Sequence, residues 1–310
     1  MELREANRIL QSVRTALAAD GIKIPQSAET DGLVMLLGRL DGEKYLAPKI
    51  KHAKSAQGTA RARANSVILF FRALEAVRAD STDPVTYVSV LLLHKSVCGD
   101  LDGDAGKPRS TEMLTDGSAH TDPKYIAGSL KAIVAKMNEI EQSPAISKED
   151  FAGYLSHYMR EVVIMHPFTH YSEFVSRLFM IQFCKSKGFS LCYNRYPAAA
   201  IKAAEDEAFF TDDVTPLYKM FLDCLSYERN TVTPTQTPKT RTRREMDAKL
   251  RHGLARKPNS EIASVNLKTA DKDKTVMNDV KLRKVIKLQQ KISRLNEQLT
   301  KLTSDTTKPK

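Results

Sequence analysis

The stretch IMHPFTHYSEFVSRLFMIQFCKSKG, residues 164–188, decides how the rest of the chain is read. An apolar helical run breaks at His166-Pro167-Phe168, a short polar segment Thr169-His170-Tyr171-Ser172-Glu173 follows, and a second helix stops at Gly188. Proline cannot continue a helix through its own position, and glycine is the residue best suited to closing one. A histidine at the tip of one helix, beside backbone amides at the start of the next, supplies two parts of a phosphate-handling site. One is a proton acceptor and the other an anion-binding helix start.

Helical spacing of apolar residues extends in both directions from this stretch. Ser147 with Asp150 three residues on resembles the start of the run-in helix DFAGYLSHYMREVVIM. Residues 126–140 place Ile126, Leu130, Ile133, Val134 and Met137 on one face, and Val67, Phe70, Phe71, Leu74 and Val77 mark a further buried helix. The segment VTYVSVLLLHKSV after Asp83-Pro84 is apolar enough to be central, and residues 5–20 form a helix ended by Gly21 and Pro25. GLVMLLGRLDG after Asp31 is helical, with a linker around Pro48 behind it. GDLDGDAGKPRS, rich in glycine and aspartate, is irregular. A helix pair is expected around 197–210 and 216–227. No clear period-2 run is long enough to argue for strands, so the fold class is all-α.

The chain has 310 residues and a formal charge of +11. That charge is unevenly spread: residues 229–310 hold 21 Lys and Arg against 8 Asp and Glu, whereas residues 1–228 hold 27 against 29. The basic excess therefore belongs to the tail. Residues 231–274 are dominated by Thr, Pro, Lys and Arg and read as a flexible linker. Beyond it Val285, Leu288, Ile292, Leu295, Leu299 and Leu302 follow a heptad spacing, with β-branched residues at one position and leucine at the other, and Asn278 at the preceding β-branched position. Such a seam suits a parallel homodimer, or docking on a partner or on the domain itself, though its length is marginal for an isolated coiled coil. The stretch 239–257, with Lys239, Arg241, Arg243 and Arg244, has the charge for nonspecific nucleic acid or an anionic membrane. No aromatic residue follows Tyr227, so such binding would rest on phosphates alone. No apolar run reaches the ~18 residues of a membrane span. Cys98, Cys184, Cys192 and Cys224 lack CxxC spacing and read as reduced thiols. These features lead to a cytoplasmic expectation, with delivery to a host cell by a non-classical route left open.

Several segments together resemble the Fic (Fido) family, all-helical enzymes that transfer AMP or related groups to protein hydroxyls. The family loop HPFx(D/E)GNGRxxR appears here as HPFTHYSEFVSR, matching at His166, Pro167, Phe168 and Arg177. LLLHKSVCGDLDGDAGKPR, residues 91–109, resembles the family's upstream helix ending in histidine and its Ala-Gly-Lys-x-Arg loop. SHYMREVVIMHPF resembles the run-in helix, with its histidine at His157. LVMLLGRLDG and HAKSAQGTARA resemble the N-terminal part that carries an inhibitory (S/T)xxxE(G/N) helix in longer members. The resemblance spans roughly residues 30–190. It implies a helical extension over 1–80 with an inhibitory-helix-like region near 53–58, and a Fic-like core over 81–228. A basic flexible linker over 229–280 and a coiled-coil-like helix over 281–303 would follow.

The resemblance implies that His166 takes the proton from a target hydroxyl and that Arg177 faces a nucleotide phosphate. The departures from the pattern have chemical consequences. The magnesium-binding carboxylate is replaced by His170, and imidazole is a poor ligand for a hard cation. The two glycines become Tyr171 and Glu173, the asparagine Ser172, and the first arginine Phe174. In the inhibitory segment, Gln57 and Ala53 stand for the glutamate and the Ser/Thr. The expectation is a catalytically degenerate Fic-like protein serving as a protein-binding or regulatory module. The alternatives are a divergent AMP, nucleotidyl or phosphocholine transferase using ATP with magnesium, and a function placed in the basic tail. His166-x-x-x-His170, with His157 upstream, has a spacing that could bind zinc on one helix face, but Pro167 interrupts that helix and no third ligand has a defined spacing. The calcium-like start at 100–104 has Ala105 where glycine is required and Thr111 at the twelfth position, so no metal ligand is expected.

Overall fold

A computed structural model describes residues 1–78 and 83–227. The described residues fall within one compact unit, Met1–Thr240. The linker, the basic 239–257 stretch and the heptad residues expected from sequence lie outside the described residues.

Ten helices dominate the described residues: α1 Leu3–Ala19, α2 Gln26–Leu36, α3 Gly42–Ser55, α4 Gly58–Arg78, α5 Tyr87–Cys98, α6 Pro123–Asn138, α7 Lys148–Met165, α8 Ser172–Ser186, α9 Ala198–Thr211 and α10 Thr215–Cys224. The all-α expectation holds. Two short antiparallel pairs interrupt it, a hairpin of β1 Leu114–Thr115 with β2 Ser118–Ala119, and β3 Phe189–Leu191 against β4 Leu225–Tyr227. β4 corrects the expectation that the last helix runs to Tyr227. Leu225 pairs with Leu191 and leaves the helix to complete the ladder that closes the unit.

The packing follows from the apolar periodicity. All five residues read as the buried face of α4, from Val67 to Val77, are at most 7% exposed. The helix lies against α1, α2, α3, α5 and α8. α8 is buried nearly all round, with Phe174, Phe179 and Phe183 among its core residues, and Phe151 of α7 stacks on Phe189 of β3 at 4.3 Å between centroids. α7 begins where its serine indicated, the Ser147 hydroxyl accepting from the Asp150 amide at 3.0 Å. α1 ends on Asp20 with Gly21 at φ +72°, and the Gly21 and Ile22 amides close onto Ala18 and Leu17.

Two expectations fail for physical reasons. The supposed linker around Pro48 is helix α3. Asp41 caps its start by accepting from the Lys44 amide at 3.1 Å, and Tyr45 stacks on Phe71 of α4 at 4.4 Å. Pro48 itself is exposed, on the side of the helix where water can take the carbonyl hydrogen bond that a proline cannot supply. Helix α5, read as central, buries Val90, Leu93, His94, Val97 and Cys98 but leaves Val88 and Leu92 each 57% exposed. The four cysteines are buried and unbridged. No helix among the described residues is long and apolar enough to cross a membrane.

Candidate functional site

The loop between α7 and α8 holds two residues in the left-handed region. His166 closes α7 at φ +45°, and Tyr171 opens α8 at φ +57°. Left-handed backbone costs a residue with a side chain roughly 1–2 kcal/mol, so the surrounding structure has to hold both. Tyr171 occupies one of the loop positions where the resembled pattern carries glycine. The turn is made although the residue suited to it is gone.

Two side chains, Arg109 from the irregular 99–113 segment and His94 from α5, grip this loop. Arg109 is 3% exposed. It donates from Nε to the His166 carbonyl at 2.8 Å, from one terminal nitrogen to the Thr111 carbonyl at 2.6 Å, and from the other to the carbonyls of Met165 and Thr121. Its own amide donates to the Pro167 carbonyl at 2.9 Å. The guanidinium thus satisfies carbonyls at the end of α7, where a cation also complements the helix dipole. His94, near the end of α5, lies flat on Phe168, ring centroids 3.9 Å apart at 5°. Its Nδ1 accepts from the Gly106 amide at 2.8 Å, which assigns the proton to Nε2 for donation to the His170 carbonyl at 3.0 Å. Gly106, at φ +85°, cannot carry a side chain because a Cβ there would stand 2.9 Å from Cβ of Lys95. The histidine-ended helix and the Ala-Gly-Lys-Pro-Arg loop seen in sequence are therefore bracing for the site loop.

His166 is 8% exposed. Its Nδ1 stands 3.5 Å from Oε1 of Glu173 in the first turn of α8, and its ring centroid is 4.7 Å from that of His120. Burial first, and then the neighbouring His120, Arg109 and Lys202, push the His166 pKa down to about 3. The imidazole is neutral at ordinary pH, so its approach to Glu173 is a long polar contact and not an ion pair. His120 stacks on Phe209 of α9 at 4.5 Å. Its nitrogens meet the Ile164 carbonyl at 3.2 Å and the Thr115 hydroxyl at 2.8 Å. Burial lowers its pKa as well.

Arg177, expected from the resemblance to face a phosphate, is fully buried. Its guanidinium binds Glu205 of α9 through two parallel hydrogen bonds, at 2.8 and 2.5 Å. A further terminal nitrogen reaches the Ala16 carbonyl of α1 and Asp20 at the helix's end, both at 2.8 Å. Burial alone would lower the arginine pKa; Glu205 and Asp20 more than reverse it, so the group stays charged. Burial pushes both carboxyls up and Arg177 pulls both back. The inhibitory-helix-like region near 53–58 does not supply this partner: Ala53 is buried in α3 and Gln57 is exposed just before α4. Phe174, standing where the pattern has its first arginine, is buried in the core.

The other histidines do not converge on His166. His170 is exposed on the loop, and His157 sits midway along α7 beside Tyr158. The aspartates of the 100–104 segment make local contacts, Asp100 with Arg72 at 2.8 Å and Asp104 with Lys107 at 3.1 Å. Among the described residues no group of three or more His, Cys, Asp or Glu side chains is arranged to hold a metal ion. Sequence reading had no signal for His120, Asp20 or Glu205, because only packing brings His120, beside the β1–β2 hairpin, to His166, and Asp20 and Glu205, from the end of α1 and from α9, to Arg177 of α8.

No protein-family model matches the sequence. The chain is 21% identical over 148 residues to the protein adenylyltransferase VbhT of Bartonella schoenbuchensis, covering 48% of this chain and 31% of that protein. It is 23% identical over 139 residues to the probable protein adenylyltransferase Fic of Salmonella typhimurium, covering 45% and 69%. Among solved structures, the FIC domain of Bep5 from Bartonella clarridgeiae is 20% identical with a TM-score of 0.47, covering 55% and 84%. The chain matches about a third of the length of the Bartonella relative.

Proposed function

We propose, proceeding from the Fic/Fido-type domain that this chain carries, that it is a catalytically degenerate protein-binding or regulatory module. The observation that carries this reading is the contact of Glu173 with His166, 3.5 Å apart in the first turn of α8. A carboxylate is favoured there by the helix dipole, by about 0.3–1 kcal/mol. It stands in the helix turn whose backbone amides an incoming phosphate would use. A phosphate charge brought within about 4 Å of it meets a repulsion of about 4 kcal/mol at a near-surface effective dielectric. Arg177, the loop cation left to answer that charge, is committed to Glu205 and Asp20.

The residues present do not fit ATP with magnesium. Position 170 offers an exposed imidazole in place of a hard oxygen ligand, and Glu173 and Tyr171 add bulk where backbone amides need close approach. In this reading no reaction step runs through that pair. His166 serves as a buried neutral member of the loop, and a protein partner is held by the surface around it.

The neutral state of His166 favours one alternative, a divergent AMP, nucleotidyl or phosphocholine transferase, since a neutral imidazole is able to take a proton. The two readings separate in one experiment. The full chain is incubated with labelled ATP, GTP, UTP and CDP-choline, lysate, and magnesium or manganese. No transfer is expected, and label transfer that disappears in His166→Ala overturns the degenerate reading. Thermal shift adds a positive readout: Glu173→Gly should gain a nucleotide-dependent shift that the unsubstituted protein lacks.

A further inference from the structure

We propose that the corner where α3 turns into α4 is a binding surface for the phosphate backbone of duplex nucleic acid. Between Lys44 and Leu74 the chain has seven Lys and Arg and no Asp or Glu, inside a 1–228 region whose acidic residues outnumber its basic ones, 29 to 27. Four of these seven, together with His52, fall at this corner. Lys51, His52 and Lys54 are exposed at the end of α3, and Arg61 and Arg63 are exposed on the first turns of α4.

The arrangement is not explained by folding alone. Cations at the end of α3 complement its dipole, but Arg61 in the first turn of α4 opposes that helix's dipole, and no acidic residue in the turn offsets it. Lys51, Lys54, Arg61 and Arg63 have no ion-pair partner among the described residues, whereas Arg72, further along α4, is paired with Glu43, Glu75 and Asp100. Like charges gathered without counter-charge repel one another, and a polyanion removes that repulsion.

The composition of the corner selects among polyanions. The residues between the cations are Ala, Ser, Gln, Gly and Thr, and among the described residues the exposed large apolar side chains, Leu3, Val88, Leu114 and Phe210 among them, lie elsewhere. A single strand would be held by stacking on exposed aromatics, which this corner lacks. A protein interface would centre on aromatic or aliphatic anchors, and a membrane surface would take inserted apolar side chains. A duplex bound through its phosphates needs none of these.

The test is fluorescence anisotropy on the full chain with labelled DNA and RNA duplexes of about 20 base pairs and mixed sequence, between about 50 and 200 mM salt. Lys51→Gln, Lys54→Gln, Arg61→Gln and Arg63→Gln are combined, in the native background and in one with Lys239, Arg241, Arg243 and Arg244 also changed to Gln. The substituted corner side chains are exposed, and a thermal melt checks that the fold is kept. In both backgrounds the corner substitutions should weaken binding by at least ~10-fold near 100 mM salt. They should also flatten the log–log salt slope by about 3–4, close to 0.9 per lost phosphate contact. Binding that survives the corner substitutions overturns the proposal, as does a wild-type chain that ignores duplexes. Equal corner-dependent binding to polyglutamate or to phosphatidylserine vesicles overturns it too.

Discussion

Replacing Glu205 with glutamine leaves the Arg177 guanidinium at zero exposure with only Asp20 to balance it. The substitution keeps the shape of the side chain and removes one charge, so what it measures is electrostatic. Glu205 is itself 1% exposed and binds Arg177 through two hydrogen bonds. Water cannot readily replace the lost partner. Breaking a buried pair on one side costs about 3–5 kcal/mol. Asp20, with 20% of its side chain exposed, remains in place and holds the loss at the lower end of that range, about 3 kcal/mol. In a domain of this size that lowers the melting temperature by roughly 6–12 °C. The assay is urea unfolding, with the loss appearing in the midpoint at an unchanged slope. The triple variant Asp20→Asn, Arg177→Met and Glu205→Leu should recover most of the loss, because removing all three charges together also removes their desolvation cost. Should Glu205→Gln cost under about 1 kcal/mol, the value of a solvent-exposed pair, the account of Arg177 as a sealed structural cation is refuted.

The pH dependence of stability follows from His166. Its pKa falls from 6.5 to about 3 on folding. Between those values the unfolded chain binds a proton that the folded chain refuses, so stability declines as pH drops through the window and is flat above it for this group. The slope is about 1.4 kcal/mol per pH unit, so His166→Gln should lose roughly 2 kcal/mol less than wild type between pH 6.5 and 5 in urea unfolding. At position 171, glycine should be more stable than alanine by about 1 kcal/mol, the reverse of their order in a helix. Equal melting temperatures for the two variants would show that the left-handed turn is not retained.

The fold was largely legible because burial and periodicity coincide in its long helices. The face read on α4 is buried throughout, and the Ser147 cap of α7 is made as written. What escaped is what local pattern cannot carry. A proline usually ends a helix, yet α3 keeps Pro48 because Tyr45, Leu46 and Ala53 pack its other side. β4 is a three-residue strand whose only reason to exist is its partner β3. In the candidate site, His166 was visible from the helix break and the Gly106–Arg109 loop from its resemblance. The surroundings that set their chemistry were not. His120 reaches His166 from a hairpin, and the charge of Arg177 is answered from two helices remote in sequence. A motif shows which side chain is present, but its neighbours decide whether that side chain is available.

The tie from Arg177 to α1 bears on where this domain begins and ends. The residues that match the family pattern run roughly from 30 to 190, yet Ala16 and Asp20 lie before that span and Glu205 after it, and all three take hydrogen bonds from one guanidinium inside it. A fragment trimmed to the matching residues would carry a naked cation at the centre of its packing. The same bond constrains drift in the sequence. A change at position 177 alters what positions 20 and 205 can tolerate, so these three sites, far apart along the chain, are expected to vary together or not at all.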